Sequence, residues 1–397
     1  MIENRDIIIV GLQSLDSEIG SNCVNIAYEF AKNNRVLYVN YPLDRLTIIR
    51  HNNNPSIKKR KKILKGNEPD LVQINKNLWN LYPRTILESI NQIGSKTIFN
   101  YLNKINNKKY AKKIKEAIKK LGFKNYILFN DSDFYRSFYL KELLKPAVFV
   151  YYTRDNMVAT DYFKKHGTRY EQAIMKKADL VLANSVYLQN AAKKFNQKSY
   201  YVGQGCDLTL FDKTLIKKLP EDIKTIKKPV LGYIGVLKSS RLDMGVIEHL
   251  AVSKPEWSIV LVGPEDDKFK TGNLHNIKNI YFLGSKNIDE LPSYLAAFDI
   301  AINPQLLNEL TIGNYPRKID EYLAMGKPVL ATKTEAMQTF SEHVYLAKNK
   351  EEYITLAEKA LKKNNSEKEK AREDFAKSHT WENNVMEIYK AIQKVTN

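Results

Sequence analysis

The segment NELTIGNYPRKIDEYLAMGKPVLAT, residues 308–332, reads as a loop, a helix and a strand in succession. Pro316 suits the first turn of a helix and Gly326 the position just past its end. Pro328 blocks any continuation, and VLAT (329–332) then reads as a buried strand. Within the helix Ile319, Tyr322 and Leu323 form a core stripe, and Glu321 points about 155° away from its centre. Lys318 and Glu321 are neighbours at i, i+3. From the residues alone, two readings of that pair stand. One is a solvated ion pair. The other is a carboxylate and an ammonium that hold a ribose and a phosphate at a helix start, where backbone N–H groups favour an anion.

Working outward, the same rhythm of short apolar runs and helical stretches extends in both directions. Upstream in the same half stand VLGYIGVL (230–237), SIVLVG (258–263), IYFLG (280–284) and IAINP (300–304). The first half offers IIIVGL (7–12), VLYVN (36–40), LVQI (71–74), YILFN (126–130), VFVYY (148–152) and LVLAN (180–184). Helical patterns such as VNIAYEFAKN (24–33) and YAKKIKEAIKKL (110–121) lie between them. Strand and helix in alternation predict a parallel sheet covered by helices. The fold class expected is therefore α/β, with two Rossmann-like doubly wound domains facing an interdomain cleft. The predicted boundaries are 1–211 for the first domain, a lysine-rich linker at 212–228 with Pro220 inside it, and 229–380 for the second. A last amphipathic helix, 381–397, carries Val385, Ile388, Tyr389 and Ile392 on one face.

Composition narrows the function classes. The 397 residues are 43% hydrophobic and 27% charged, which fits a folded protein rather than a disordered one. No run of 18 apolar residues is present, so no membrane-spanning helix is expected, and the N-terminus does not read as a secretory signal. Two cysteines, Cys23 and Cys206, make neither a disulfide framework nor a metal cluster, and a reducing cytoplasm fits. The net charge of +19 predicts attraction to polyanions: nucleic acid, anionic lipid or phosphorylated substrates.

The run Pro316–Val329, P-x-K-x-x-E-Y-L-A-M-G-K-P-V, resembles the donor-site helix of retaining glycosyltransferases of the GT-B fold, family 4. In that family the second Glu of an E-x7-E motif binds the ribose of a nucleotide sugar. Glu321 matches that second Glu, while the position of the first is Gly313, with Glu309 four residues further upstream. GYIGVL (232–237), with Gly235, resembles the opening of the family's second domain. There the following loop supplies cations to the diphosphate, and this chain offers Lys238 and Arg241 without the family's usual Arg-x5-Lys pair. Cations are needed because the leaving diphosphate gains negative charge as the glycosidic bond breaks. WSIVLVGP (257–264), LPSYLAAFDIAINP (291–304) and the Trp381 helix are also similar to that family, whose last helix crosses back onto the first domain.

In the first half, DSEIGSN (16–22) resembles the family's glycine-containing loop, and Gly20 gives backbone N–H groups room to approach a phosphate or sugar. In YYTRDN (151–156), Asp155 takes the place where the family brings a His or Asp to the donor sugar, and Arg154 is the candidate for an anionic acceptor; an N-cap or a surface ion pair is the other reading of these residues. NSVYL (184–188) and VGQGCDLTLF (202–211) resemble the family's strand-end serine and its crossover, and read as structural. The resemblance therefore implies catalytic roles for Asp155, Glu321 and Lys318. It implies donor contacts from Gly20, Gly235, Lys238, Arg241, Glu309, Asn314, Lys318 and Glu321, with no metal and no cofactor beyond the nucleotide diphosphate sugar as co-substrate.

Other signals carry less. Asp131-x-Asp133 in NDSDF (130–134) reads as a strand-end turn rather than a metal motif. No HExxH, P-loop or Gly-x-Ser-x-Gly is present. IKKRKK (57–62) reads as a solvated basic loop, with nucleic-acid binding as the other option. In KKYAKKIKEAIKKL (108–121), Tyr110, Ile114, Ala117, Ile118 and Leu121 share one face among lysines. Such a helix either lies on an anionic membrane or packs on the sheet with its lysines in water.

The expected protein is a cytoplasmic glycosyltransferase, peripheral to the inner face of the plasma membrane. It would pass a sugar from a nucleotide diphosphate sugar to a glycan or lipid-linked acceptor, with retention, in surface polysaccharide or glycolipid synthesis. No nucleic acid is expected as partner. The alternatives are a non-catalytic partner of such an enzyme, motivated by Gly313, a basic nucleic-acid-binding protein, motivated by +19, and a sugar-nucleotide epimerase on the same fold.

Overall fold

A computed structural model describes residues 2–17, 20–51 and 53–396. Two units emerge: Met1–Gly203 with Asn384–Asn397, and Gln204–Asn383.

The first unit is built on one eight-stranded sheet. Its spatial order is Ser199–Tyr201, Leu180–Ala183, Val148–Thr153, Ile127–Asp131, Asp6–Gly11, Arg35–Val39, Leu78–Leu81 and Leu71–Asn75. Neighbours run parallel, except that Leu71–Asn75 pairs antiparallel with Leu78–Leu81 at the edge. Asp6–Gly11 lies mid-sheet, with Ile7 opposite Val36 on one side and Ile127 on the other. Helices cover both faces of such a strand, which is why its apolar run is continuous instead of alternating. One face packs Ile8, Val10, Leu37 and Leu128 against Tyr110, Ile114 and Ala117 of the helix Lys96–Leu121. The apolar face formed by Tyr110, Ile114 and Ala117 is thus core, while several of the helix's lysines, with Ile98 and Tyr101 near its start, are exposed.

The second unit holds six parallel strands in the order Ile280–Gly284, Ser258–Val262, Val230–Ile234, Ile300–Asn303, Val329–Thr332, Val344–Ala347. In chain order this is 3-2-1-4-5-6, the dinucleotide-fold arrangement. Alternate residues feed two cores. Ile234, Val260, Ala301 and Val329 meet Ile319, Tyr322 and Leu323 on one face, while Leu231, Tyr233, Ile259 and Ile302 meet Ile247, Leu250 and Ala357 on the other.

The chain boundary lies at Gly203/Gln204, so residues 204–211, expected in the first domain, and 212–228, expected as a linker, fall in the second unit. The expected linker is partly structured: Glu221–Lys224 is a short helix with Ile223 buried in the second unit's core. The final helix, Trp381–Thr396, buries Val385, Ile388, Tyr389 and Ile392. Tyr389 stacks on Phe30 at 5.4 Å between ring centroids, and its hydroxyl accepts from Asn34 Nδ2 at 2.9 Å.

Candidate functional site

In an open parallel sheet, ligands bind beyond the carboxyl ends of the strands, where strand order reverses. In the second unit that point lies between Val230–Ile234 and Ile300–Asn303. Two loops meet there. Asp243 N donates to Pro304 O at 2.9 Å and Leu306 N to Arg241 O at 2.8 Å, which ties the loop after the first strand to the loop after the fourth.

The turn after the first strand is fixed by a glycine pair. Gly235 has φ +140° and Gly263 φ +147°, conformations that disfavour any side chain. A Cβ on Gly263 would stand 2.0 Å from Gly235 O, and one on Gly235 would stand 2.7 Å from Lys318 Nζ. The bare backbone therefore leaves room for the Lys318 ammonium at the strand end. That ammonium is bonded to the Tyr233 hydroxyl and stands 3.8 Å from the centre of its ring.

The helix Lys318–Ala324 is seated on the same strand. Tyr322 Oη accepts from Ile234 N at 2.9 Å and donates to Ile234 O at 3.3 Å. Gly326 ends the helix with φ +69°, as its position in the sequence predicts. Glu321 makes no hydrogen bond or ion pair among the described residues. Burial pushes its carboxyl up, while the charges of Arg317 and Lys318 pull it down. Lys318 does not pair with Glu321; it turns to Tyr233 instead. The solvated i, i+3 ion pair is therefore not formed, because the strand end offers the ammonium a hydroxyl and an aromatic face.

Asp320 is the acid that the sequence did not single out. It is fully buried and accepts from His379 Nδ1 at 2.7 Å and Tyr315 Oη at 3.0 Å. These bonds clamp the helix to the segment that enters the last helix. A polar residue beside Ile319 on the buried side is the one signal that could have found it.

Lys238 and Arg241 are exposed and make no ion pair among the described residues. Glu309 is exposed in the fourth-strand loop, Gly313 is buried there, and Asn314 N donates to Thr311 O at 3.0 Å. Asn308 organises that loop by accepting from Leu310 N (2.9 Å) and Thr311 N (3.1 Å) while donating to Ser240 O (2.9 Å). The second unit thus brings together Gly235, Lys318, Glu321 and the loops that carry Lys238, Arg241, Glu309 and Asn314.

In the first unit the reversal point lies between Asp6–Gly11 and Ile127–Asp131. Gly20 is exposed with nothing within 4 Å of a built Cβ, just before the helix Asn22–Phe30. Its neighbours Glu18 and Ile19 lie outside the described residues. Arg154 takes the ion-pair alternative of the sequence reading. Its Nε donates to the fully buried Asp131 at 2.8 Å and its Nη1 to Asp155 at 3.2 Å, and its side chain is 17% exposed. Two carboxylates already meet this guanidinium, so no excess charge remains for an anionic acceptor. Asp133 is likewise bonded to Arg136 at 3.0 Å. The Asp131-x-Asp133 pair is thus two separate arginine anchors. Among the described residues no group of three or more His, Cys, Asp or Glu is placed to hold a metal.

Residues 228–363 match the family model described as Glycosyl transferases group 1. The second unit is thus similar to the group 1 glycosyl transferases. The chain is 30% identical over 241 residues to the putative teichuronic acid biosynthesis glycosyltransferase TuaH of Bacillus subtilis (strain 168). That match covers 56% of this chain and 59% of the relative's length. Among solved structures, sucrose-phosphate synthase from Thermosynechococcus elongatus superposes with a TM-score of 0.66 at 15% identity, over 99% of both chains. Anabaena HepE in complex with UDP gives 0.64 at 14% identity, over 98% of this chain and 100% of that one. Likeness at this identity establishes the GT-B fold alone, two Rossmann-like units of the kind described above.

Proposed function

We propose that this chain is a glycosyltransferase that transfers a sugar from a nucleotide diphosphate sugar to a glycan or lipid-linked acceptor in the synthesis of a surface polysaccharide or glycolipid. One observation carries the reading. At the reversal point of the second unit, a desolvated and unpartnered Glu321 lies on the same short helix as Lys318, whose ammonium reaches a strand end cleared by Gly235. A carboxylate without an internal partner suits ribose hydroxyls, and an ammonium suits a diphosphate. Lys238 and Arg241 add exposed charge for the departing diphosphate. The transfer proceeds with retention: the acceptor hydroxyl attacks from the face the leaving group vacates, and the diphosphate accepts its proton. Protein cations offset the leaving-group charge, so no metal is required.

The test is thermal unfolding with UDP, GDP, ADP and CMP. UDP comes first, because the HepE structure is described as a UDP complex. A ligand at about 100 times its dissociation constant adds about 2.7 kcal/mol, a shift of a few degrees. One nucleoside diphosphate should raise the midpoint, and Glu321→Ala should abolish the rise. No shift with any of the four, or an undiminished shift in Glu321→Ala, would sink the site. The anomeric configuration of the product, read by NMR, tests retention.

A second observation favours work at the inner face of the plasma membrane. Lys104, Lys108, Lys112, Lys115 and Lys119 stand exposed along one line of the helix Lys96–Leu121, without ion pairs among the described residues. The line is about 22 Å long, and Ile98 and Tyr101 are exposed at its start. Each such cation is worth about 1 kcal/mol near an anionic surface. Among the described residues no helix is long and apolar enough to cross a membrane. Salt-sensitive binding to phosphatidylglycerol vesicles is expected; equal binding to phosphatidylcholine vesicles would remove this part of the reading.

A further inference from the structure

The run IKKRKK, read from sequence as a solvated loop, is a helix, Pro55–Leu64, that buries one of its charges. Arg60 is 5% exposed and has no carboxylate partner; its guanidinium donates to the backbone carbonyl of Tyr41. Tyr41 is flanked by two guanidiniums. Arg60 lies 4.8 Å and Arg136 4.5 Å from its ring centre. Of the two, only Arg136 has a carboxylate, Asp133, reached through its Nε. Nearby, Lys59 and Asp16 neutralise each other at 2.9 Å. The group around Tyr41 therefore carries a buried guanidinium, Arg60, with no carboxylate hydrogen-bonded to it. Such a charge costs several kcal/mol unless an anion offsets it.

Arg136 faces a cavity of 520 Å³ beyond the carboxyl ends of Arg35–Val39 and Ile127–Asp131, at the binding edge of the first unit's sheet. That is an ordinary size for a ligand pocket. The acids in its wall are mostly engaged. Asp44 accepts from Thr47 N and from the hydroxyls of Thr47 and Ser89, and Glu88 is paired with Arg45 and Lys109. Asp161 is left on the exposed rim, which the exposed Arg50 and His51 also line. Tyr135 and the 58% exposed Tyr162 give aromatic surface, and Asn91 gives an amide. Aromatic surface with planar polar groups suits the apolar face and hydroxyls of a sugar ring.

We propose that this pocket binds a saccharide bearing an acid group, carboxylate or phosphate, with the anion held by the terminal nitrogens of Arg136 and the ring against Tyr162. On the glycosyltransferase reading above, this names the acceptor class: an acidic sugar. Arg60 is a positioning residue, which holds Tyr41 and Arg136 from behind.

The experiment is calorimetric titration of the full chain with D-glucuronate, D-glucose 6-phosphate, D-glucose and inorganic phosphate. At least one anionic sugar should bind about tenfold or more tightly than glucose, the worth of a charge-assisted bond. Glucuronate alone identifies a carboxylate and glucose 6-phosphate alone a phosphate. Arg136→Gln leaves Asp133 buried and unpaired, so it is combined with Asp133→Asn to preserve the fold. The pair should lose about tenfold for the anionic sugar, and the exposed Tyr162→Ala should weaken it as well. Glucose binding as well as both anions, inorganic phosphate binding as well as the sugars, variants without effect, or no binding of either anionic sugar would each overturn the proposal. The nucleotide-dependent midpoint shift is measured on the same variants and should persist. Its absence with sugar binding intact would count against the donor-site reading and not against this one.

Discussion

Glu321 and Glu171 show how one residue type takes its chemistry from its surroundings. Burial raises Glu321, so the carboxylate proposed to bind ribose is lost at a higher pH than on an exposed glutamate. Donor-dependent stabilisation should accordingly weaken as pH falls through that range, and nucleotide titrations at several pH values would reveal it. Glu171 faces Tyr151, whose hydroxyl donates to it at 3.1 Å, and burial pushes it up to about 7 from an ordinary 4.5. Between those values the folded chain holds a proton that the unfolded chain has released. Stability is thus fully present below 4.5 and falls as pH rises to about 7. Glu171→Gln should flatten this dependence in denaturant unfolding; an unchanged profile would show that Glu171 is not its source. Gly263 is the steric counterpart. With φ +147° and Gly235 O at 2.0 Å from a built Cβ, Gly263→Ala should cost about 3 kcal/mol, seen as a lowered unfolding midpoint together with weaker nucleotide binding.

At the scale of elements, helices here are anchored by polar residues that hydropathy patterns pass over. The last helix was legible from Val385, Ile388, Tyr389 and Ile392, but its seat is also set by Asn384, which donates to the carbonyls of Val202 (2.9 Å) and Gly203 (3.1 Å). Tyr389→Ala would remove both the Phe30 stack and the Asn34 bond, and should destabilise the first unit by about 3 kcal/mol in urea unfolding. The helix Lys96–Leu121 makes the opposite case. Replacing Lys104, Lys108, Lys112 and Lys115 with Gln should leave the unfolding midpoint nearly unchanged, since these side chains are exposed and make no ion pair among the described residues, yet should reduce binding to anionic vesicles. A large drop in midpoint would mean that the stripe is structural.

For the whole molecule, the net charge of +19 should make binding to anionic surfaces weaken between low and high salt, because exposed charges are screened over about 10 Å at 0.1 M. The linear pattern of apolar runs was enough to set two α/β sheets, since a strand covered on both faces must be continuously apolar, as IIIVGL and SIVLV are. It missed Ser199–Tyr201 and Val344–Ala347, which are short and carry tyrosines, and the antiparallel edge pair of Leu71–Asn75 with Leu78–Leu81. Punctuation was equally legible: Pro316 and Gly326 bracket the site helix wherever the chain goes next. The partners of charged groups were not legible. Lys318 turned to Tyr233, 85 positions away, and Arg154 to Asp131, 23 positions away. Arg60 was one of six residues in a basic run until the fold buried it behind Tyr41. The sequence alone determined the central strands of both sheets, the ends of the candidate-site helix and the residue types on it. Only the tertiary structure decided which charges are neutralised and which are left for a ligand, because burial and pairing depend on distances between residues far apart in the chain.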